Sequence, residues 1–204
     1  MPATEGPFDA HDFDRLFSGN DDPWHFRSRW YEARKRALTL ACLPAPRYAN
    51  AYEPGCANGE LSAALATRCE RLRVSDGSAQ AVALARCRLS GVTHVDVVQE
   101  WVPDEWPEAR FDLVVLSELG YFLDAAALDR LIDRVSATLH PGGTVLACHW
   151  RRRGDGCELD GDAVHGRIGA RLKLPHLLQT LDADLRIDVW CQDPRSVATR
   201  EGFA

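Results

Sequence analysis

The sequence predicts an α/β protein built on a doubly wound sheet, and three observations carry that expectation. Short apolar segments alternate with helical stretches along most of the chain. The glycine-bearing stretch Glu53-Pro-Gly-Cys-Ala-Asn-Gly59 stands where a first strand would hand over to a helix. Phe111-Asp-Leu-Val-Val-Leu116 is the near-continuous apolar run expected of a strand buried on both faces of a parallel sheet. With 204 residues, one compact domain is expected over residues 1–204, as an N-terminal arm and helix (1–45) followed by the sheet core (46–204).

The elements follow in order. Residues 1–20, rich in Gly, Pro and Asp, read as a loose arm. Residues 24–43 turn helical, with Trp30, Leu38 and Leu40 among charged neighbours, until Pro44 and Pro46 stop the helix. Residues 48–53 form the first strand, poor in branched side chains and placed there by context. Residues 61–69 are helical, with Leu61 and Leu65 at i, i+4 spacing. Residues 72–75 make a short strand, 79–89 an alanine-rich helix closed by Gly91, and 95–98 a third strand. The run at 111–116 is the fourth. Residues 125–139 repeat leucine at helical spacing and end at His140-Pro-Gly-Gly143, a helix stop and turn before a fifth strand at 144–148. Residues 154–161 read as a polar loop. Residues 177–181 and 185–190 bracket Asp182-Ala-Asp184 as a strand pair at the sheet edge.

Composition excludes several classes of partner. Lysine and arginine number 24 against 30 acids, a net charge of −6, which speaks against a broad polyanion-binding face and against nucleic acid. No apolar stretch approaches the ~20 residues of a membrane span. Residues 1–7 lack the basic start and apolar middle of a signal peptide, so the expectation is a cytoplasmic chain. Seven cysteines, without a C-x-x-C pair or metal-ligand spacing to histidine, read as reduced, mostly buried thiols, and no metal is expected.

In doubly wound sheets, ligands bind beyond the carboxyl ends of the strands. The groups to weigh are therefore Glu53, Gly55, Cys56 and Gly59; Asp76, Gly77 and Ser78; Gln99, Glu100 and Trp101; Ser117 and Glu118; and His149 with Trp150. Gly55 and Gly59 allow a backbone to approach a ligand where a Cβ would collide. Asp76, after the second strand, can accept both hydroxyl protons of a ribose, or simply form a turn in Asp-Gly-Ser. Glu53 either caps the following helix or receives a ligand ammonium. Glu100 and Trp101 can floor and flank an adenine, although a loop tryptophan covered by neighbours reads equally well. Glu118, a bare carboxylate after a buried strand, favours a cationic ligand. His149 has the ordinary pKa near ~6.5 of a general base, or serves only to orient a loop. Tyr121 and His165 stand behind them as acceptor-side candidates.

The G-x-x-x-G turn followed by Asp76 resembles motifs I and II of the class I S-adenosylmethionine methyltransferases, a seven-stranded Rossmann-like fold. Longer segments resemble the NodS-like methyltransferases across nearly the whole chain. These are Asp22-Pro-Trp24, Trp30-Tyr-Glu-Ala-Arg-Lys-Arg36, Phe111 to Glu118, His140-Pro-Gly-Gly143, His149-Trp150, Gly161-Asp-Ala-Val-His165 and Ser196-Val-Ala-Thr-Arg-Glu-Gly202. The glycine motif is generic to the superfamily; the Trp-Tyr-Glu helix and the His-Trp strand end are more specific. Two residues depart from the pattern: Ala57 replaces a frequent glycine, and Gly77 follows the ribose acid where an apolar residue is commoner. The resemblance implies S-adenosylmethionine as cofactor, S-adenosylhomocysteine as its product, and an N-terminal helix folded over the cofactor as a lid. That lid would bring Trp24, Tyr31 and Lys35 close, with aromatic faces suited to a sulfonium cation. It also implies a small-molecule acceptor, an amine such as a deacetylated amino sugar.

Other functions compete. O-methylation of a small metabolite uses the same cofactor site. A nicotinamide-dependent oxidoreductase would require G-x-G-x-x-G, which Ala57 and Asn58 do not supply. A non-catalytic binding module would hold the cofactor without turnover. Oligomeric state is not legible from the sequence.

Overall fold

The computed structural model describes residues 8–203, so the signal-peptide reading of residues 1–7 lies outside it. Seven strands form one sheet in the order β3-β2-β1-β4-β5-β7-β6. They are β1 (Ala51–Pro54), β2 (Leu72–Asp76), β3 (Val95–Gln99), β4 (Phe111–Ser117), β5 (Leu139–Trp150), β6 (His176–Leu181) and β7 (Leu185–Cys191). Strands β1 to β5 run parallel, whereas β7 inserts antiparallel between β5 and β6, which forms the edge. The seven-stranded sheet that the resemblance implies is therefore present, with its strand order reversing between β1 and β4.

The apolar run of β4 explains the layering. Leu113 and Val115 enter a core with Leu65, Leu72, Val74, Ala85 and Leu146, under helices α3 (Glu60–Ala66) and α4 (Ala79–Arg88). Val114 and Leu116 enter the opposite core with Leu128, Ile132, Val135, Val164 and Ile168, under α5 (Ala125–Thr138) and α6 (Gly161–Leu172). Successive side chains of a strand face opposite sides, so one unbroken apolar segment feeds both layers. Bidentate pairs Arg167–Asp129 and Arg171–Asp133 tie α6 to α5.

Four elements differ from expectation. Residues 10–17 are not a loose arm but helix α1 (Ala10–Phe17), held by a reciprocal cap between Asp9 and Asp12. Helix α2 runs from Trp30 to Ala41 and begins later than expected, because residues 22–29 form turns around Asp22, which accepts from the Phe26 and Arg27 N–H groups. Residues 140–143 belong to β5, where the pairing with β4 shifts register between Phe111 and Leu113. Helix α6 occupies a segment without an expected helix; Asp160 caps it and Lys173, at φ 53, ends it. A short α7 (Val197–Arg200) closes the described chain. No helix among the described residues is long and apolar enough to cross a membrane.

Candidate active site

The carboxyl ends of β1 and β4 open at the reversal of strand order, and two loops meet there. In the first, Gly55 and Gly59 sit at φ 78 and 80, values that side chains rarely adopt, and Ala57 itself takes φ 48. The Gly55 and Cys56 N–H groups donate to Ser75 O. Asp76 joins this loop to the second: Oδ2 accepts from Ala57 N–H at 2.9 Å and Oδ1 from Ser78 N–H at 2.9 Å. A carboxylate has about four lone-pair sites, so Asp76 retains capacity for two hydroxyl donors. Burial raises its pKa, and those backbone N–H groups oppose the rise.

Glu53 is buried at the end of β1, its Oε2 is not hydrogen-bonded among the described residues, and the Ser62 hydroxyl of α3, also unpaired, lies beside its carboxyl and opposes the effect of burial. Burial pushes its carboxyl up to about 8. Asn58 is also fully buried; its Nδ2 donates to Asp21 O and Asp22 Oδ1, docking the N-terminal turns, while its Oδ1 is unpaired. Two orphaned oxygens beside a glycine turn suit a ligand that brings N–H donors, above all an ammonium group.

The second loop is more tightly built than the sequence suggests. A Cβ on Gly77 would lie 2.0 Å from Trp101 Cε3, so glycine at this position is what lets the indole lie against the backbone. Gln99 Nε2 donates to Gly77 O at 3.1 Å, and Ser78 both caps α4 and donates to Asp14 Oδ1. Asp76, Gly77, Ser78, Gln99 and Trp101 thus converge. Glu100 joins them only through its N–H, which donates to Asp76 O at 3.1 Å, while its carboxylate accepts from Arg73 at 2.6 Å and from Tyr52 OH at 3.3 Å. From α1, Phe13 packs on Trp101 and Phe122, a contribution the loose-arm reading had missed.

On the β4 side Ser117 is half-buried and Glu118 takes φ 54, a left-handed conformation whose cost of roughly 1–3 kcal/mol the surroundings must offset. Glu118 Oε1 accepts from Lys35 Nζ at 2.7 Å, and Oε2 accepts from Tyr121 OH and from Trp150 N–H at 3.2 Å. Lys35 is buried, bridges Glu118 to Glu32 at 2.9 Å, and lies 5.4 Å from the Tyr31 ring and 5.8 Å from Phe26. Burial works against its charge, but Glu118 and Glu32 outweigh burial and hold the ammonium above the ordinary lysine range. The Tyr31 hydroxyl is buried without a partner among the described residues, and burial raises its pKa. Trp24 packs between Phe17 and Phe26, one ring removed from Lys35. Beside Tyr121 an open groove of about 590 Å³ runs along residues 121–124 and 153–158.

His149 requires a correction. It is fully buried, its Nε2 accepts the Gly120 N–H at 3.1 Å, and its Nδ1 meets His165 Nε2 at 3.0 Å. Both ring nitrogens are engaged, and burial together with His165 and Lys35 drives its pKa well below the ordinary value. The lone pair a general base would use is occupied by a backbone amide, so the ring cannot take a proton from an acceptor in this arrangement. His165 likewise sits behind the site, bonded to Asp188 Oδ2, rather than facing an acceptor. Trp150 is partly exposed and contributes its N–H to Glu118. Asn58, Asp188, Glu32 and Phe13 are participants that sequence reasoning missed; Asn58, inside the glycine motif, and Glu32, inside the Trp-Tyr-Glu helix, carried a local signal.

Comparison with known proteins gives this arrangement a family. The sequence profile of the family described as "Nodulation protein S (NodS)" matches residues 8–165. Nodulation protein S of Rhizobium tropici is 34% identical over 128 residues, covering 62% of this chain and 54% of that protein, so the match spans about half the relative's length. The structure of a putative methyltransferase from Pseudomonas syringae is 53% identical, with a TM-score of 0.73 over 80% of this chain and 99% of that one. The N-methyltransferase NodS from Bradyrhizobium japonicum WM9, in complex with S-adenosyl-L-homocysteine, superposes with a TM-score of 0.81 over 90% of this chain and 98% of that one. At 24% identity this second likeness shows the fold.

Proposed function

The chain belongs to the NodS family, and we propose that it is an S-adenosylmethionine-dependent methyltransferase acting on the nitrogen of a small amine, with a deacetylated amino sugar as the acceptor class. The observation that carries the cofactor assignment is the Gly55–Gly59 turn held between two carboxylates, Glu53 with its unpaired buried oxygen and Asp76 with spare acceptor capacity. In this reading Glu53 and Asn58 receive the ammonium end of the cofactor, Asp76 accepts the ribose hydroxyls, and Gly77, Ser78, Gln99 and Trp101 bound the adenine. The lid residues Trp24, Tyr31 and Lys35 exclude water and favour a cation. When bound, the cofactor supplies an electrophilic methyl group on a sulfonium.

Glu118 is assigned to the acceptor. Its Oε1 already holds an ammonium, that of Lys35, at 2.7 Å, and the same oxygen has a second lone pair for an acceptor N–H. Tyr121 OH fixes the other oxygen. The carboxylate thereby orients the amine, whose nucleophilic lone pair requires that it arrive neutral or release its proton first. His149 is assigned no proton transfer. Most of the rate then comes from orientation and water exclusion, terms worth several kcal/mol in a well-aligned site.

The test is mass-shift screening with S-adenosylmethionine and a β-1,4-linked glucosamine dimer. One methyl should appear per free amine, and none on the fully N-acetylated dimer. Asp76→Ala should weaken S-adenosylhomocysteine binding by about 1.5–3 kcal/mol, the scale of hydrogen bonds to a charged group. Equal methylation of both dimers would establish O-methylation instead, and tight product binding with no turnover would mark a binding module.

A further inference from the structure

Behind Glu118 lies a buried hydrogen-bond chain that the proposed chemistry leaves unused. It starts at the N–H of Gly120, two residues after Glu118, and runs through His149 and His165 to Asp188 in β7. Its links measure 3.1, 3.0 and 2.6 Å, and all three side chains are at most 1% exposed.

The direction of every link is fixed from both ends. A backbone N–H can only donate, so His149 Nε2 must be a bare acceptor and its ring proton sits on Nδ1. That proton points at His165 Nε2, which must accept and therefore carries its own proton on Nδ1, facing Asp188 Oδ2. The carboxylate can only accept, which closes the chain consistently. Asp188 is itself fixed by Arg186 Nε on Oδ2, and by His176 Nε2 and Gln179 Nε2 on Oδ1. Reversing any link would set two N–H groups against each other at Gly120.

The clamped segment is the one that needs holding. Glu118 sits at φ 54, with its N–H on Cys148 O at 2.9 Å and its carboxylate on Trp150 N–H. Three consecutive residues of β5 therefore grip the Glu118–Gly120 turn, and the His149 ring is the middle contact. Gly120 is pressed between α6 and the imidazole: a Cβ there would lie 2.4 Å from Val164 Cγ1 and 3.3 Å from His149 Nε2.

We propose that Asp188 and His165 are positioning residues for acceptor binding: they lock His149 as an obligate acceptor, and His149 in turn fixes the turn that aims Glu118. This rests on the reading of Glu118 as the acceptor's carboxylate. The chain is not a proton path, because it ends on an amide N–H that does not exchange places with an acceptor proton. Burial holds both rings below the ordinary histidine range, aided by Lys35 from α2 at His149 and by Arg186 from β7 at His165, against the opposing pull of Asp188 from β7 and Asp162 from α6 on His165.

Two experiments on the full chain test it. Long-range ¹H–¹⁵N NMR of the imidazoles, assigned with His149→Gln and His165→Gln, should show both rings protonated on Nδ1 and not titrating between pH 5.5 and 8.5. An Nε2–H tautomer, or a midpoint near ~6.5, overturns the proposal. Second, in His165→Gln the amide can donate or accept, so the direction is no longer dictated. Its kcat/KM for the glucosamine dimer should fall about 10- to 100-fold, mostly through KM, with S-adenosylhomocysteine affinity held within about threefold. Glu118→Gln should lose activity too, and the double variant should be no worse than Glu118→Gln alone, within about twofold. Additive losses, or full activity in His165→Gln beside a crippled Glu118→Gln, overturn the positioning role while sparing Glu118. No turnover by wild type, or an unimpaired Glu118→Gln, instead removes the acceptor reading; an unimpaired Glu118→Gln takes the positioning role with it. Without turnover, the chain is decided by the ring tautomers and by Gly120 amide exchange, which should be markedly faster in His165→Gln.

Discussion

Glu53 offers the most direct link between burial and cofactor binding. Its carboxyl, raised from an ordinary 4.5 to about 8 by desolvation, is protonated in the free protein at neutral pH. At about 1.36 kcal/mol per tenfold change, this difference corresponds to about 5 kcal/mol. The folded chain binds this proton more tightly than the unfolded chain does. The stabilisation is therefore fully present below pH 4.5, and is lost progressively as the pH climbs through about 8. Glu53→Gln removes the ionisation and introduces a buried amide whose incomplete pairing costs about 1–3 kcal/mol. Net stabilisation at pH 9 should be about 2–4 kcal/mol, a Tm gain of roughly 5–10 °C for a chain of this size, with no gain or a small loss at pH 5. The same substitution should weaken S-adenosylhomocysteine binding at least about tenfold, because an ammonium group then loses its counter-charge. Calorimetry at pH 7 in two buffers of different ionisation enthalpy should show release of about 0.9 proton on binding to wild type and none for the variant. A Tm difference that is the same at pH 5 and pH 9 would falsify the account, since it would mean that Glu53 does not titrate with folding.

Two further outcomes follow from the same packing. Gly77→Ala drives a Cβ into Trp101, so it should cost about 1–3 kcal/mol in urea denaturation and shift the tryptophan emission. Adding Trp101→Ala should restore stability but not cofactor affinity, and an unperturbed Gly77→Ala would show that the indole lies elsewhere. Lys35→Met strips the ammonium from between Glu32 and Glu118 and should destabilise by about 3–5 kcal/mol at pH 8. The loss should shrink at pH 5, because Glu32, whose pKa burial already raises, then takes up a proton more readily. A pH-independent loss would mean that packing of the lysine stem, not its charge, matters.

The sheet was legible where one signal dominated. Residues 111–116 read as a doubly buried strand, as β4 is, and the first strand beside it was placed by its context before the glycine turn. The elements that were not legible had their signals divided. Helix α1 carries a two-acid cap, Asp9 and Asp12, that a Gly- and Asp-rich composition hides. Helix α6 includes Gly161, Gly166 and Gly169, which weaken intrinsic helix preference by roughly 1 kcal/mol each. Its apolar face, Val164, Ile168 and Leu172, offsets this only through packing against α5 and against strands β5 and β7.

For the site, sequence order located groups but not their partners. Strand ends are fixed by topology, so Glu53, Asp76, Trp101 and Glu118 could be placed from the chain alone. What each side chain does depends on donors that arrive from elsewhere. Glu100 follows a strand end as Asp76 does, yet its carboxylate meets side chains, Arg73 and Tyr52, where that of Asp76 meets the loop N–H groups of Ala57 and Ser78. His149 is the sharper case. Its place at a strand end and the ordinary pKa of a free imidazole both suggest a base, but whether an imidazole can act as one turns on a single lone pair. That lone pair faces the amide of Gly120, and the other nitrogen faces His165, which Asp188 orients. No pattern along the chain encodes that arrangement, because it is set by the close seating of the Glu118–Gly120 turn between β5 and α6. A residue type at a strand end therefore establishes candidacy, and the direction of its hydrogen bonds decides its role.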